Sequence, residues 1–184
     1  MKIVIFSDSH GDTNTMCYVV EKEKPDMIIY LGDGISDAEE LNAKYPNTKM
    51  IKILGGIDSD KEDEEWIKVV EICEKRFVLT HGHKLIRYTF NNDSKAYMQT
   101  EEDRIQSHIA LLECINEHDA DILLHGHTHE PYMNRIGLTP KKTCWIMNPG
   151  RIGRQSCSDF SSVYGILRFD ESNAFEWTLK EVNA

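Results

Sequence analysis

The chain has 184 residues, 40% hydrophobic and 28% charged, an ordinary globular composition with enough length to bury a core. Its formal net charge of −10, from 21 basic and 31 acidic residues, repels duplex nucleic acid and anionic membranes unless a local basic patch intervenes. There is no apolar run of about 18 residues to span a bilayer, and five cysteines without a Cys-x-x-Cys pair exclude a disulfide framework or zinc knuckle and fit reduced thiols.

The opening Met1-Lys2-Ile3-Val4-Ile5-Phe6 has too short an apolar run for a signal peptide and reads as a buried first strand, in keeping with a cytoplasmic protein. Its end delivers Ser7-Asp8-Ser9-His10-Gly11-Asp12. Asp8 and His10 stand two apart, which puts both side chains on one side of an extended segment. Asp12 or Thr13 caps a helix running to about residue 23, with Met16, Val19 and Val20 inward, and Pro25 ends it. Residues 27–31 read as a second strand leading into Gly32-Asp33-Gly34. That triplet alone is a turn signal, but it sits at a strand's carboxyl end, where open α/β sheets bind ligands. Residues 36–45 read as a helix with Ser36 as cap and Glu39 completing a capping box, closed by Pro46. Residues 50–54 form a third strand ending in Gly55-Gly56-Ile57-Asp58, before the solvated acidic run Glu62-Asp63-Glu64-Glu65.

Residues 66–72 and 76–80 read as strands joined by a tight turn near Cys73-Glu74-Lys75, the second ending in His81-Gly82-His83. Between 88 and 100 the pattern is lost around the loop Asn91-Asn92-Asp93-Ser94. Tyr88, Phe90 and Tyr97 there read as a lid, a subunit contact or a plain surface excursion. Residues 101–118 form the strongest helix, with Ile105, Ile109, Leu112 and Ile115 on its buried face and His108 and His118 on the surface. The strand Asp121-Ile122-Leu123-Leu124 then runs into His125-Gly126-His127-Thr128-His129-Glu130-Pro131, three imidazoles within five residues. On extended backbone His127 and His129 aim to the same side, and neutral imidazole is the commonest metal ligand; a chance histidine-rich loop is the competing reading. Residues 133–136, 143–147, 163–169 and 175–179 read as successive antiparallel strands, interrupted by Asn148-Pro149-Gly150-Arg151.

Strand–helix alternation followed by strands argues a layered α/β sandwich. Strand ends deliver Asp8 and His10, Asp33, Asp58, His81 and His83, and His127 and His129. Carboxylate and imidazole without thiolate favour manganese, iron, zinc or nickel over a closed structural zinc site. The ligands exceed what one ion needs. A dinuclear centre follows, with a carboxylate bridging ions roughly 3.5–4 Å apart and a bridging hydroxide that attacks phosphorus. The reaction best matched to these parts is hydrolysis of a phosphate ester.

Asp8-Ser9-His10, Gly32-Asp33, Gly55-Gly56-Ile57-Asp58, His81-Gly82-His83, Gly126-His127-Thr128-His129 and Asn148-Pro149-Gly150, in this order, resemble the calcineurin-like metallophosphoesterases. The likeness is to their small bacterial and archaeal phosphodiesterase subfamily and runs from residue 8 to about residue 150. It implies a four-layer αββα sandwich of two mixed β-sheets flanked by helices, one domain over residues 1–184 with no cap domain. It places Asp8, His10 and His129 on a first metal, Asp33 as a bridge, and His81 and His127 on a second, with Asp33, His10 and Asp58 as catalytic groups. His83 and His125 are either orienting groups or satisfied strand-end histidines. The implied cofactors are two divalent ions, manganese first, with nickel, zinc or iron as alternatives.

Two departures stand out. The family pattern at the third loop is Gly-Asn-x-Asp, its Asn a ligand of the second metal; here Gly56 takes that place, and Ile57 replaces a histidine that assists the leaving group or phosphate. The resemblance therefore implies a weaker second site, with water, Asp58 or a backbone carbonyl as stand-in. Arg151 stands where the family usually has serine; it and Arg154 read as phosphate-binding or as plain surface arginines. The implied substrate is a small phosphodiester or nucleotide-like molecule, and relatives often form homo-oligomers. Phosphomonoester hydrolysis shares the same site. Because the family includes a retromer scaffold subunit, a catalytically weak or inactive interaction module is the alternative.

Overall fold

Apolar side chains alternate in direction along the short strands, and that alternation builds the layers. The computed structural model describes residues 1–58, 66–87, 89–90, 96–97, 100–139, 142–153 and 161–182. Glu62-Asp63-Glu64-Glu65, Tyr88, Asn91-Asn92-Asp93-Ser94, Arg154 and Cys157 lie outside these residues, as do the side chains of Phe90 and Tyr97. One sheet has the order β12 (Phe175–Glu181), β11 (Val163–Phe169), β1 (Lys2–Phe6), β2 (Met27–Tyr30), β3 (Lys49–Lys52). The other has the order β4 (Ile67–Ile72), β5 (Lys75–Thr80), β8 (Ile122–Leu124), β10 (Lys142–Asn148), β9 (Tyr132–Thr139). Both are mixed. β1, β2 and β3 run parallel, as do β5, β8 and β10, while β11, β12, β4 and β9 join antiparallel.

Ile3, Ile5, Ile29, Phe77, Leu79 and Leu124 are fully buried between the sheets. The opposite face of the first sheet presents Val4, Phe6 and Ile28 to Met16 and Val19 of α1 (Thr13–Glu23) and to Ala38 and Leu41 of α2 (Ile35–Lys44). Val78, Leu123 and Ile146 cover the outside of the second sheet against Leu111 and Ile115 of α3 (Glu101–Glu117). Helices, sheet, sheet and helix therefore stack as αββα. β6 (Thr89–Phe90) and β7 (Ala96–Tyr97) pair antiparallel where the sequence pattern is lost. Among the described residues no helix is long and apolar enough to cross a membrane, and Cys17, Cys73, Cys114 and Cys144 are free thiols.

Three local expectations need correction. Asp12 does cap α1, its carboxylate accepting from Thr15 N at 3.0 Å, but Ser36 does not cap α2. That helix starts a residue earlier with Gly34 in the cap position, and Asp58 from a distant loop accepts the N–H groups of Gly34 and Ile35 at 2.7 and 2.8 Å. Glu39 pairs with Lys52 at 3.0 Å instead of closing a capping box. In α3 the inward stripe is Ser107, Leu111, Cys114 and Ile115, while Ile105 and Ile109 are 47% and 41% exposed. The stripe contains a serine because Ser107 Oγ accepts Arg87 N–H at 2.9 Å, which hides the true face from a hydrophobic count.

The last four strands are not one antiparallel run. β9 pairs with β10 and β11 with β12, but β10 lies parallel beside β8, and the chain then crosses to the other sheet for β11. This crossing brings the loop after β10 over the end of β1, where Ile152 N–H donates to Ser7 O at 3.0 Å. The carboxyl ends of parallel strands from both sheets thus gather at one place.

Candidate metal centre

The gathered loops place their polar side chains in two groups. Asp8, His10 and His129 form one, and Asp33, His81 and His127 the other; within each, one ligand atom per residue lies within 4.8 Å of the others. His129 Nε2 is 3.3 Å from Asp8 Oδ1, and His10 Nε2 is 3.3 Å from His129 Nε2. In the second group His81 Nε2 is 3.3 Å from Asp33 Oδ2, and at 3.9 Å from Asp8 Oδ1 it also links the groups. Asp8 Oδ1 and His81 Nε2 are buried without a hydrogen-bond partner. Buried polar atoms are ordinarily satisfied, and three oxygen and imidazole donors converging on one point suit a divalent cation. The residues fit such an ion.

The backbone makes this convergence possible in a way the spacing does not foretell. Asp8, His10, Asp33, His127 and His129 have φ of 57°, 46°, 60°, 68° and 60°. Left-handed backbone is uncommon outside glycine, tolerated best by Asn, Asp and His, and concentrated at functional sites. The expected extended geometry is therefore replaced: Asp8 and His10 still share a group, but His127 and His129 part to different groups. Gly126 allows the close approach of the loops, since a Cβ there would meet Ser7 Oγ at 1.8 Å.

Electrostatics follow from burial and mutual charge. Burial raises the Asp8 carboxyl, but the contact with His129 at 3.3 Å and the charges of His81 and His129 more than offset it and hold it well below the usual range. For Asp33 burial likewise opposes ionisation and His81 outweighs it, leaving the carboxyl lowered. Burial disfavours charged His81, yet the Asp33 carboxylate 3.3 Å away and the charge of Asp8 push it up to about 9. Its Nδ1–H donates to Leu31 O at 2.8 Å, which aims Nε2 at the carboxylates, the orientation a metal-binding imidazole needs. Burial and the charge of His81 lower His127 to about 4, and burial, above all, lowers His10.

Supporting residues hold these loops, and two of them, Asp37 and Tyr30, escaped the sequence reading. Asp37, in the first turn of α2, accepts from Ser9 Oγ at 2.5 Å and Gly11 N at 2.7 Å, and Tyr30 OH lies 2.6 Å from Ser9 Oγ. The available signal was an acidic residue four positions after Asp33, at the start of a helix. Asn148 Nδ2 donates to Thr128 Oγ1 and Gly126 O at 2.9 and 3.0 Å, fastening the histidine loop to the end of β10.

The family model of the calcineurin-like phosphoesterase superfamily domain matches residues 1–172. The chain belongs to this superfamily. It is 25% identical over 154 residues to a probable metallophosphoesterase of Mycoplasma genitalium, covering 83% of this chain and 77% of the relative. A conserved Streptococcus pneumoniae protein described as a predicted phosphoesterase superposes with a TM-score of 0.65 at 23% identity, over 98% of this chain and 88% of that one. Wild-type Vps29 of Entamoeba histolytica complexed with Zn²⁺ gives 0.62 at 16% identity over the full length of both chains. These two likenesses are of fold.

Against the calcineurin-like pattern, the third loop shows two glycines of different kinds. A Cβ at Gly55 would meet Asp33 Oδ1 at 2.1 Å, so no side chain fits; at Gly56 the nearest atoms are those of His83, at 3.5 Å or more. Ile57 is 68% exposed, and its N–H donates to Asp33 Oδ1 at 3.2 Å. Asp58, expected as a catalytic group or stand-in ligand, holds backbone in this structure. Its two oxygens accept four backbone N–H groups, of Asp33, Gly34, Ile35 and Gly55, at 2.7–2.8 Å, which makes it a positioning residue for Asp33.

Arg151 is only 3% exposed, so the surface reading fails. Burial lowers its guanidinium and the Asp8 charge opposes this, which places it within electrostatic reach of the first group. His125 is a satisfied core histidine: Nδ1–H donates to Gly126 O at 2.9 Å, Nε2 pairs with Tyr132 OH, and burial lowers it to about 4. His108 is exposed and His118 half-buried on or beside α3, and neither belongs to the two groups.

Proposed function

We propose that the chain is a divalent-metal-dependent phosphoesterase that prefers phosphodiesters, with Asp8, His10 and His129 holding one ion, His81 and His127 a second, and Asp33 serving both. The observation that carries this reading is the pair of buried atoms without a hydrogen bond, Asp8 Oδ1 and His81 Nε2, 3.9 Å apart where the two groups meet. Ions held there would act as Lewis acids and would bring the pKa of bound water to about 7, the chemistry that hydrolysis of a phosphate ester needs. The chain's own residues set the stage for that chemistry. Leu31 O and the Asp33 carboxylate orient His81, Asp8 Oδ2 accepts His127 N–H at 3.2 Å, and Asp58 fixes the backbone that presents Asp33. Arg151 supplies buried positive charge beside Asp8 and His10 for a phosphate oxygen. His10, the exposed member, faces the entering substrate.

The diester preference rests on a cavity of about 540 Å³ bordered by His83, Lys84, Ile86, Ile109 and His127. It has the size and mixed lining that hold an organic substituent beyond the phosphate. Manganese is the first ion to supply, and zinc, present in the Vps29 complex, the second. A cytoplasmic setting is part of the same proposal, and the net charge of −10 disfavours duplex DNA and anionic lipid as partners. A protein-interaction module is the second reading, favoured by Gly56 and by the exposed Ile105 and Ile109.

The test is turnover of bis-p-nitrophenyl phosphate against p-nitrophenyl phosphate by metal-loaded protein. The proposal expects kcat/KM for the diester to be higher by roughly 10-fold or more, the order a filled substituent pocket supplies, and both activities to vanish in Asp33→Asn. Preference for the monoester overturns the diester reading. Undiminished turnover in Asp33→Asn overturns the residue assignment. A folded, metal-binding protein with neither activity favours the interaction module.

A further inference from the structure

We infer that His83 supplies the donor that Gly56 lacks, completing the second ion's ligand set from the loop after β5 instead of the loop after β3. The inference rests on the two-ion reading above and goes beyond it by assigning a ligand peculiar to this chain.

A side chain starting at residue 56 would meet the Cβ, Cγ and Cδ2 atoms of His83 at 3.5, 3.5 and 3.6 Å and nothing nearer. The imidazole therefore borders the space that an asparagine would enter. His83 Nδ1 is excluded from solvent and has no hydrogen-bond partner, the same condition as Asp8 Oδ1 and His81 Nε2 within the two groups. A satisfied strand-end histidine such as His125 looks different, with both ring nitrogens engaged. The His83 and His81 ring centroids are 5.5 Å apart, comparable with the 5.2 Å between His81 and His127, and His83 and His127 border the same cavity.

His83 stands outside the set of atoms within 4.8 Å of one another. Rotation about its Cβ–Cγ bond exchanges the edges carrying Nδ1 and Cδ2, so a nitrogen is turned toward the space over Gly56 without moving the backbone. The exchange of an amide oxygen for an imidazole nitrogen has a chemical consequence. Three imidazoles and a carboxylate favour zinc, nickel or iron at the second position over manganese, which prefers oxygen donors.

The test measures binding, not turnover. Metal-stripped wild type, His83→Ala and the double variant Gly56→Asn/His83→Ala are dialysed against zinc and manganese, and bound metal is counted by elemental analysis, with thermal melts to establish folding. The expected result is two zinc ions on the wild type, a second ion held about 10–100-fold more weakly by His83→Ala, and recovery in the double variant with a shift toward manganese. A zinc-soaked wild-type crystal should place a His83 nitrogen about 2.0–2.1 Å from the second ion, a reading independent of any variant. If His83→Ala keeps both ions at wild-type affinity, the assignment falls and the two-ion reading stands. If the wild type takes up only a single ion, both fall. Loss in His83→Ala without recovery, and with no His83 nitrogen on the ion, also overturns it.

Discussion

At the scale of single residues, Asp58 carries more structure than its motif position indicates. Four backbone N–H groups converge on its carboxylate, and each hydrogen bond to a charged acceptor contributes roughly 1.5–3 kcal/mol, not additively. Asp58→Asn keeps the shape but turns an amide N–H₂ toward those donors. We expect a stability loss of about 2–4 kcal/mol by urea unfolding, together with weaker metal binding because Asp33 loses its fixed backbone. Unchanged metal affinity in that variant would show that Asp33 is positioned by other contacts. The identities of the candidate ligands were legible because Asp and His clustered at strand ends have few other uses. Their left-handed backbone and the reach of Asp58 were not legible, since both are imposed by loops distant in sequence. The choice between the two readings of Arg151 was not legible for the same reason: its burial depends on the crossing from β10 to β11.

Among the elements, α3 shows how one polar residue conceals a buried face. Ser107 sits in the inward stripe because Arg87 N–H needs an acceptor, so counting isoleucines selects Ile105 and Ile109, which face outward. The fully buried Ile115 should therefore cost about 2–5 kcal/mol when changed to alanine, whereas Ile109→Ala should move the unfolding midpoint by less than about 0.5 kcal/mol equivalent. Ile109 borders the cavity beside His127, so its replacement should instead raise KM for the diester. Equal destabilisation by both variants would mean that the helix is turned otherwise. Most strand bounds were legible because their apolar runs alternate or are continuous, but β9 spans Tyr132–Thr139, twice the expected 133–136, and β6 and β7 fall where no strand was expected. The pairing was not legible, because the order β8, β10, β9 places consecutive strands apart.

Over the whole molecule, Glu23 ties the end of α1 to the first sheet: it accepts from Lys180 Nζ at 2.8 Å, Tyr164 OH at 3.0 Å and Lys2 Nζ at 3.3 Å. Burial raises its carboxyl, but these partners outweigh burial and lower it from 4.5 to about 2. A carboxyl lowered in the folded state stabilises above its unfolded value, and that contribution is lost as pH falls through the folded one. Wild type should thus exceed Glu23→Gln in urea midpoint at pH 7, and the gap should close as pH drops from 4.5 toward about 2; a gap independent of pH would assign the effect to packing. Metal acts on the same scale, since an ion bound only by the folded chain at 100 times its Kd adds about 2.7 kcal/mol. Chelation should therefore lower the Tm as well as remove activity.

The most direct measurement is a manganese titration, followed by zinc, of metal-stripped protein hydrolysing a chromogenic phosphodiester. The account predicts no turnover without ion, turnover rising to a plateau as the sites fill, and none in folded Asp33→Asn at any metal concentration. Protein that binds the ions, remains folded and hydrolyses nothing would contradict it.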